Sequence, residues 1–192
     1  MGADVMLLAE EEIATLADLL REPGKAELIN GRIVRYMSTG LRHGRIVRRL
    51  ILLLATFLES YGRGEVLADN VGFAVPKLTS GRESFSPDVS YYDGPEQTDE
   101  MDFVQGPPTI AIEVRSKDGY GNSAAQDMSR KRADYFEAGT LIVWDVDSVA
   151  ECIHAYTANN PMVARTFRRG DVADAETVLP GWRVNVDEIF KK

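Results

Sequence analysis

Two strand-like segments of this chain each carry one acidic residue in an apolar setting. Asp88 lies between Phe85 and Tyr91, and Glu113 interrupts the β-branched run 110–114. An ionised carboxylate that leaves water loses several kcal/mol unless it is paired, hydrogen-bonded or bound to a metal. Either acid alone is compatible with a half-exposed strand. The two together restrict the chain to a fold that gives both carboxylates a partner.

The composition is that of a single globular domain over residues 1–192. Hydrophobic residues make up 44% of the chain, enough for one sizeable core, and no Pro-, Gly- or Ser-rich linker divides it. The single cysteine, Cys152, excludes an internal disulfide and fits a reducing compartment. Residues 1–12 lack the basic start of a secretory signal, and the longest apolar run, 50–58, is far below the ~20 residues that span a bilayer. We therefore expect a soluble, cytoplasmic protein with no membrane partner.

The charge distribution gives two opposite indications about nucleic acid. The formal net charge of −8 argues against binding through general electrostatics. The basic residues are nevertheless clustered, and a basic cluster is often no more than a solvated face. Contact with nucleic acid is therefore a hypothesis that depends on the acidic pair, and it concerns two clusters: Arg42, Arg45, Arg48 and Arg49, and the run 130–132.

The Asn30-Gly31 dipeptide predicts a tight hairpin between residues 27–29 and 32–34, because Asn-Gly supplies the two positive φ angles of a type I′ turn. Helical spacing predicts a short helix between Thr15 and Pro23 and longer ones at 41–61 and 123–138. Strands are expected at 65–75, 86–92, 109–115, 141–146, 151–157 and 162–168, with a last pair within 177–186 and loops at 77–84 and 93–102. This order predicts an α/β fold with helices flanking a mixed central β-sheet.

The long helix 41–61 has two distinct faces. His43 shares the apolar face with Val47 and Leu50, whereas the basic residues lie on another face. Two interpretations of His43 are open: a hydrogen-bonded structural histidine at a helix end, or a side chain that faces a functional cleft.

The two acids and their surroundings resemble the PD-(D/E)XK nuclease superfamily, and more narrowly the Uma2 family, also called DUF820. The resemblance lies in Pro87-Asp88 on one strand, Glu113-Val114-Arg115 on the next and a helix after it. It implies a restriction-endonuclease-like core with an N-terminal hairpin and extra C-terminal strands. Further matching stretches span most of the chain: 27–32, 43–45, 112–116, 127–135, 138–139, 143–147, 179–181 and 189–190.

The resemblance implies a site for Mg²⁺ or Mn²⁺, with Asp88, Glu113 and the Val114 carbonyl as ligands. Hard divalent cations prefer oxygen ligands of this kind. Two features depart from the superfamily pattern: Arg115 stands in the position of its lysine, and the loop 116–123 is longer and lacks the family's Ser-Pro. In Uma2-like sequences the lysine is on the following helix, where this chain has Lys131. The alternative for that lysine is a surface ion pair with the acid four residues earlier.

The remaining roles implied by the resemblance are accessory. Glu27, His43 and Arg115 would support the site, while Arg42, Arg45 and Arg49 would hold backbone phosphates of the DNA partner. A homodimer is a further expectation, formed through the apolar tail 189–190 or through an exposed edge strand.

Two function classes follow. The first is a metal-dependent endonuclease that hydrolyses DNA phosphodiester bonds with Asp88, Glu113 and Lys131. The second is a catalytically inactive nuclease-fold module that binds nucleic acid or protein, which Arg115 and the altered loop favour. A hydrolase with a Ser or Cys nucleophile has little support, because no Gly-x-Ser-x-Gly elbow is present and the chain has only two histidines.

Overall fold

The computed structural model describes residues 13–191. Residues 1–12, where the sequence predicted no secretory signal, and residue 192 lie outside this range. The helices are α1 (Leu16–Leu19), α2 (Leu41–Tyr61), α3 (Asn122–Ala138) and α4 (Val186–Ile189). The strands are β1 (Ala26–Ile29), β2 (Arg32–Arg35), β3 (Glu65–Ala68), β4 (Phe73–Ala74), β5 (Ser84–Phe85), β6 (Val89–Tyr92), β7 (Val104–Gln105), β8 (Ile110–Val114), β9 (Ile142–Asp147), β10 (Cys152–Thr157), β11 (Asn160–Arg168), β12 (Val172–Asp174) and β13 (Arg183–Asn185).

A six-stranded mixed sheet forms the centre, in the order β11-β10-β9-β8-β6-β3. Only β8 and β9 run parallel, and α3 connects them, whereas their outer neighbours pair antiparallel. All residues of β8 and β9 are buried. This agrees with the nearly continuous apolar sequences of both strands, which are typical of strands covered on two faces. The predicted mixed sheet flanked by helices is therefore present.

The two faces of β8 pack against different parts of the core. Ile110 and Ile112 pack into the core cluster that contains Leu50 of α2, whereas Ala111 packs with Tyr135 of α3. Successive side chains on a strand point to opposite faces. Glu113 therefore lies on the α3 side of the sheet, where the helix that follows the strand can reach it.

The hairpin β1–β2 has the turn that its sequence predicts. Asn30 and Gly31 have φ angles of 51° and 67°, and Ile29 pairs with Arg32 across the turn. The backbone amide of Asn30 donates to the carbonyl of Gly81 at 2.8 Å, and that of Leu28 donates to Ser84 Oγ at 2.7 Å. These bonds fix the hairpin to the segment that leads to β5.

Three sequence predictions of strand boundaries were wrong. The segment 65–75 forms two strands rather than one, because Asn70 adopts φ 75° in the turn that separates β3 from β4. Residues 84–85 and 104–105, expected in or after loops, form strands of a small sheet with β4. The C-terminal pair is β12 with β13, so the first partner lies upstream of the predicted segment 177–186.

The apolar tail predicted as a dimer surface is part of the core. Ile189 lies in α4 and is fully buried, and Phe190 is only 5% exposed. Both pack in the main cluster with Leu50 of α2. These two residues therefore have no surface to offer a second copy, and that route to a homodimer is wrong.

No helix within residues 13–191 combines the length and the apolar character that crossing a membrane requires.

We predict that Trp182→Ala lowers the free energy of unfolding by about 3–5 kcal/mol. Trp182 is 1% exposed and stacks on Trp144 of β9, with ring centroids 4.9 Å apart, so it joins the C-terminal segment to the central sheet. Urea denaturation followed by fluorescence and circular dichroism measures the effect. The control is Met162→Ala, whose side chain is 79% exposed and should change stability by less than ~0.5 kcal/mol. Equal effects of the two substitutions would contradict the assignment.

Candidate active site

Lys131 lies between two carboxylates from distant parts of the chain. Its Nζ atom is 2.8 Å from Glu27 Oε1 on the hairpin and 2.8 Å from Glu113 Oε1 on β8. The side chain is buried on the sheet-facing side of α3. The alternative surface pair is absent, since Asp127 instead pairs with Arg130 at 3.3 Å. The structure therefore places Lys131 beside Glu113.

Glu27 is completely buried and holds four groups together. Its carboxylate accepts hydrogen bonds from Tyr36 Oη at 2.6 Å and from the Ser86 amide at 3.0 Å, and it also pairs with Arg82. Burial by itself raises the pKa of Glu27, but Lys131 and Arg82 outweigh it and lower the pKa to about 2. Glu27 therefore stays ionised and anchors Lys131.

Glu113 has one engaged and one open carboxylate oxygen. Its Oε1 atom accepts a hydrogen bond from Tyr135 Oη at 2.6 Å and pairs with Lys131. No hydrogen bond to its Oε2 atom is found within residues 13–191. Burial raises the pKa of Glu113 and Asp88 adds to this, while Lys131 opposes it. The open oxygen is thus a free acceptor on a carboxyl that holds its proton more tightly than an exposed glutamate.

The strand predicted at 86–92 begins later in the structure, at Val89, so Asp88 immediately precedes β6. Its Oδ2 atom accepts from the Val114 amide at 2.7 Å and lies 3.1 Å from His43 Nε2. Its Oδ1 atom lies 2.5 Å from Lys25 Nζ. Burial opposes ionisation, but the bond to His43 and the charge of Lys25 lower the pKa of Asp88. Asp88 is therefore ionised and fully engaged within the protein.

Lys25 is a residue of the site that was not predicted from the sequence, and Tyr36 and Arg82, the partners of Glu27, were not predicted either. Besides Asp88, the Lys25 ammonium contacts Asp69 at 2.8 Å, and it is largely buried. Burial lowers the pKa of Lys25, whereas Glu113 and Asp88 raise it and prevail. Its place two residues before Glu27 was the available signal, because residues i and i+2 of an extended segment point the same way.

A cleft of about 350 Å³ unites these groups. Its lining includes Lys25, His43, Asp88, Glu113 and Lys131. Glu113 and Lys131 also line a larger cavity of about 800 Å³, which extends along α3. The Val114 residue lines both spaces. The structure thus brings together the two acids, the lysine and His43 that the sequence singled out.

His43 occupies the apolar face of α2, as the helical spacing predicted, and is 5% exposed. Its ring meets Asp88 at the edge of the cleft. Both interpretations of His43 therefore apply, because the hydrogen-bonded histidine at the helix end also lines the cleft.

Arg115, predicted as accessory, is committed to acids of β9. It binds Asp145 through two nitrogens at 2.6 and 2.7 Å and Asp147 at 2.9 Å. The hydrogen bonds to Asp145 raise its pKa, against the opposing effect of burial. Arg115 does not contact the carboxylates of the cleft, so the ammonium next to Glu113 comes from the helix rather than from this position.

The basic face of α2 lies away from both cavities. Arg42 donates to the Ser148 carbonyl at 2.7 Å and pairs with Glu151, and Arg49 donates to carbonyls near the C-terminus. Arg42 and Arg45 line a separate pocket of about 480 Å³. The structure therefore does not bring these arginines to the acidic pair.

The acids of the cleft do not form a multi-ligand cage. Within residues 13–191, no group of three or more His, Cys, Asp or Glu side chains has the arrangement to hold a metal ion. Asp88 and Glu113 are the two buried carboxylates in the cleft lining, and the exposed Asp118 also lines the cleft.

Comparison with known proteins is consistent with this architecture. The Uma2 family, described as "Putative restriction endonuclease", matches residues 11–187. The fold is similar to the crystal structure of "a putative nuclease belonging to DUF820" from Anabaena variabilis, with a TM-score of 0.71 and 16% identity over 92% of this chain and 97% of that chain. No curated protein matches. The expected family resemblance and the expected fold class are both confirmed.

We predict that Glu27→Gln lowers the free energy of unfolding by about 3 kcal/mol at pH 7, because Lys131 and Arg82 lose their buried counter-charge. The folded-state pKa of Glu27, about 2, lies below its ordinary value of 4.5. The advantage of the wild type is therefore complete above pH 4.5 and shrinks as the pH falls towards 2. Urea denaturation of both proteins at several pH values measures it.

The matched control is Glu176→Gln, which neutralises a glutamate in an exposed pair with Arg183. It should cost less than ~1 kcal/mol. A difference between wild type and Glu27→Gln that does not change with pH would contradict the role assigned to the Glu27 charge.

Proposed function

This chain belongs to the Uma2 family, and we propose that it is a nuclease that uses bound Mg²⁺ or Mn²⁺ to hydrolyse phosphodiester bonds in DNA. The observation that carries the proposal is the convergence of Asp88, Glu113 and Lys131 on one cleft. Two carboxylates offer oxygen ligands to a hard cation, and a buried ammonium beside them offers a counter-charge for phosphate oxygens.

The donor set suits a magnesium-type ion. Mg²⁺ is typically held by one or two protein carboxylates, with water and substrate phosphate in its other positions, so a third acidic ligand is not required. Asp88 and the open Oε2 atom of Glu113 would hold the ion, with the Val114 carbonyl as the third ligand by resemblance. When bound, such an ion lowers the pKa of a coordinated water and neutralises charge on the phosphate.

Lys131 acts in this proposal as a fixed cation rather than as a base. Burial lowers its pKa, but the carboxylates of Glu113 and Glu27 outweigh burial and raise it, so the amine stays protonated. A protonated amine cannot accept a proton from water. Lys131 can donate hydrogen bonds to phosphate oxygens. The stabilisation that its positive charge provides increases as negative charge develops on these oxygens.

Two neighbours act as positioning residues. Glu27 keeps the Lys131 amine next to Glu113, and His43 holds one oxygen of Asp88. Each fixes a group that the proposal places at the scissile phosphate, without touching that phosphate itself. Such outer contacts orient the groups that perform the chemistry.

The proposal keeps the cytoplasm as the place of the activity, as expected from the sequence. A nuclease that cuts both strands of a duplex commonly works as a homodimer, and β11 forms one edge of the central sheet. Its outward residues include Met162 and Val163, which are 79% and 62% exposed. A dimer through this edge is compatible with the proposal.

A second candidate function is a binding module that works without metal. One observation favours it: the Lys25 ammonium already lies against Asp88, in a position where it neutralises one of the two carboxylates. In that case the cleft needs no external cation, and chelation of divalent ions leaves ligand binding unchanged.

We predict that Asp88→Asn and Lys131→Met each reduce DNA cleavage at least about 100-fold, because the first removes a metal ligand and the second a charge that stabilises the transition state. Plasmid and linear DNA incubated with Mg²⁺ or Mn²⁺ report nicking and linearisation. Matched controls are Asp174→Asn and Lys77→Met, whose charges lie away from the cleft and are paired with Arg165 and Glu83. Wild-type activity in Asp88→Asn would overturn the proposal.

We predict that Lys25→Met binds Mn²⁺ about tenfold more tightly than the wild type, because a cation that competes for Asp88 is removed. Titration calorimetry measures the affinity directly. Asp88→Asn should abolish the binding heat in either background. Absence of Mn²⁺ binding to both wild type and Lys25→Met would favour the metal-independent module.

A further inference from the structure

One buried basic side chain differs from the others in its partners. His43, Arg82, Lys131 and Arg132 are the basic residues that are buried within residues 13–191. The first three pair with carboxylates. Arg132, which is 9% exposed, has no carboxylate within ion-pair distance in the described part of the chain.

The contacts that Arg132 does make leave its charge uncompensated. Its guanidinium carbon lies 3.7 Å from the centre of the Tyr156 ring on β10, and one nitrogen donates to Ser129 Oγ at 3.3 Å. A ring face offers a cation a partial electrostatic substitute for water. A buried charge is nevertheless normally paired, so an unpaired buried guanidinium is a candidate to bind an anionic ligand.

Arg132 lines the same cavity as the proposed catalytic groups. The cavity of about 800 Å³ is bounded by Glu113 and Lys131 at the sheet and by Arg132 and Tyr156 further along. Four acids of its lining pair with basic residues of the lining: Glu113 with Lys131, Asp127 with Arg130, Asp134 with Arg82 and Asp145 with Arg115. The remaining acid, Asp118, is exposed, and Arg132 is the buried base of the lining without a carboxylate partner in the described part of the chain.

We propose that Arg132 binds a phosphate of a nucleic-acid strand. This phosphate is next to the one that the proposed function places at Glu113 and Lys131. The inference rests on the proposed function, because it takes the same strand as ligand. A guanidinium presents a planar fork of donors that matches two phosphate oxygens, and the Tyr156 ring holds that plane in one orientation. The subsite is thus on α3, rather than on the basic face of α2.

A strand fits this site better than a free phosphate. The cavity is much larger than one phosphate ion and has aromatic residues, Tyr36 and Tyr120, in its lining. Grooves that hold single-stranded nucleic acid combine cationic and aromatic groups in this way. The ligand class is therefore a polynucleotide backbone with adjacent bases.

The test measures binding without cleavage. Fluorescence anisotropy with a labelled 20-mer of DNA, single-stranded and duplex, in EDTA gives the affinity as a function of salt. We expect Arg132→Gln to weaken binding about tenfold and to reduce the slope of log affinity against log salt by about 1. Arg132→Lys should recover the salt slope but only part of the affinity, because lysine keeps the charge and lacks the fork.

Arg165→Gln is the matched control. Arg165 also lies over an aromatic ring, that of Phe167 at 4.5 Å, but it pairs with Asp174 and is outside the cavity. It should bind DNA like the wild type. Urea denaturation verifies that each variant is folded, and if Arg132→Gln does not fold, the partial affinity of Arg132→Lys carries the test.

Unchanged affinity in Arg132→Gln, an equal loss in Arg165→Gln, or no DNA binding by the wild type would overturn the inference. Competition by a mononucleotide as strong as that by the 20-mer would overturn the assignment to a strand. Binding that depends on Arg132, together with a wild type that cuts no DNA with Mg²⁺ or Mn²⁺, would leave the subsite standing and reject the nuclease proposal. The two failures are therefore distinguishable.

Discussion

The buried carboxylate of Glu27 is the contact on which the arrangement of the site depends. It joins the N-terminal hairpin, Arg82 in the segment before β5 and Lys131 on α3, three parts of the chain that are far apart in sequence. Buried ion pairs add little net stability, since their attraction is offset by lost hydration, but loss of one partner strands the others. The network therefore serves mainly to fix positions, and it fixes the ammonium that faces Glu113.

The two acids of the cleft have opposite environments. The imidazole of His43 and the ammonium of Lys25 lower the pKa of Asp88 against the effect of burial. Burial raises the pKa of Glu113, and the nearby Asp88 adds to this, although Lys131 is close. Carboxyl pairs whose environments drive their pKa values apart often have different roles for the two groups. Here the difference follows from the partners, since both oxygens of Asp88 have partners, whereas no hydrogen bond reaches Glu113 Oε2 within residues 13–191.

Local sequence signals predicted the parts of the site that local physics determines. The Asn30-Gly31 turn follows from turn chemistry, and the apolar face of α2 that includes His43 follows from periodicity. The place of Lys131 beside Glu113 was implied by the family resemblance, and the sequence left a surface pair open as the alternative. Partners set by long-range register were not predictable. Arg115 meets Asp145 only because β8 and β9 pair in parallel, with Glu113 opposite Asp145. The contact of Lys25 with Asp88 likewise depends on how the hairpin docks.

Lys131 belongs to the helix that connects the two parallel strands, while the PD-(D/E)XK pattern that the sequence resembles has its lysine on the strand itself, where this chain has Arg115. Packing of α3 on the sheet brings the ammonium to 2.8 Å from Glu113 from a different point in the sequence. A sequence motif that requires the lysine on the strand therefore fails to detect a chain of this kind. A three-dimensional template of two carboxylates and one ammonium detects it, because such a template depends on the positions of the atoms and not on the order of the residues in the sequence.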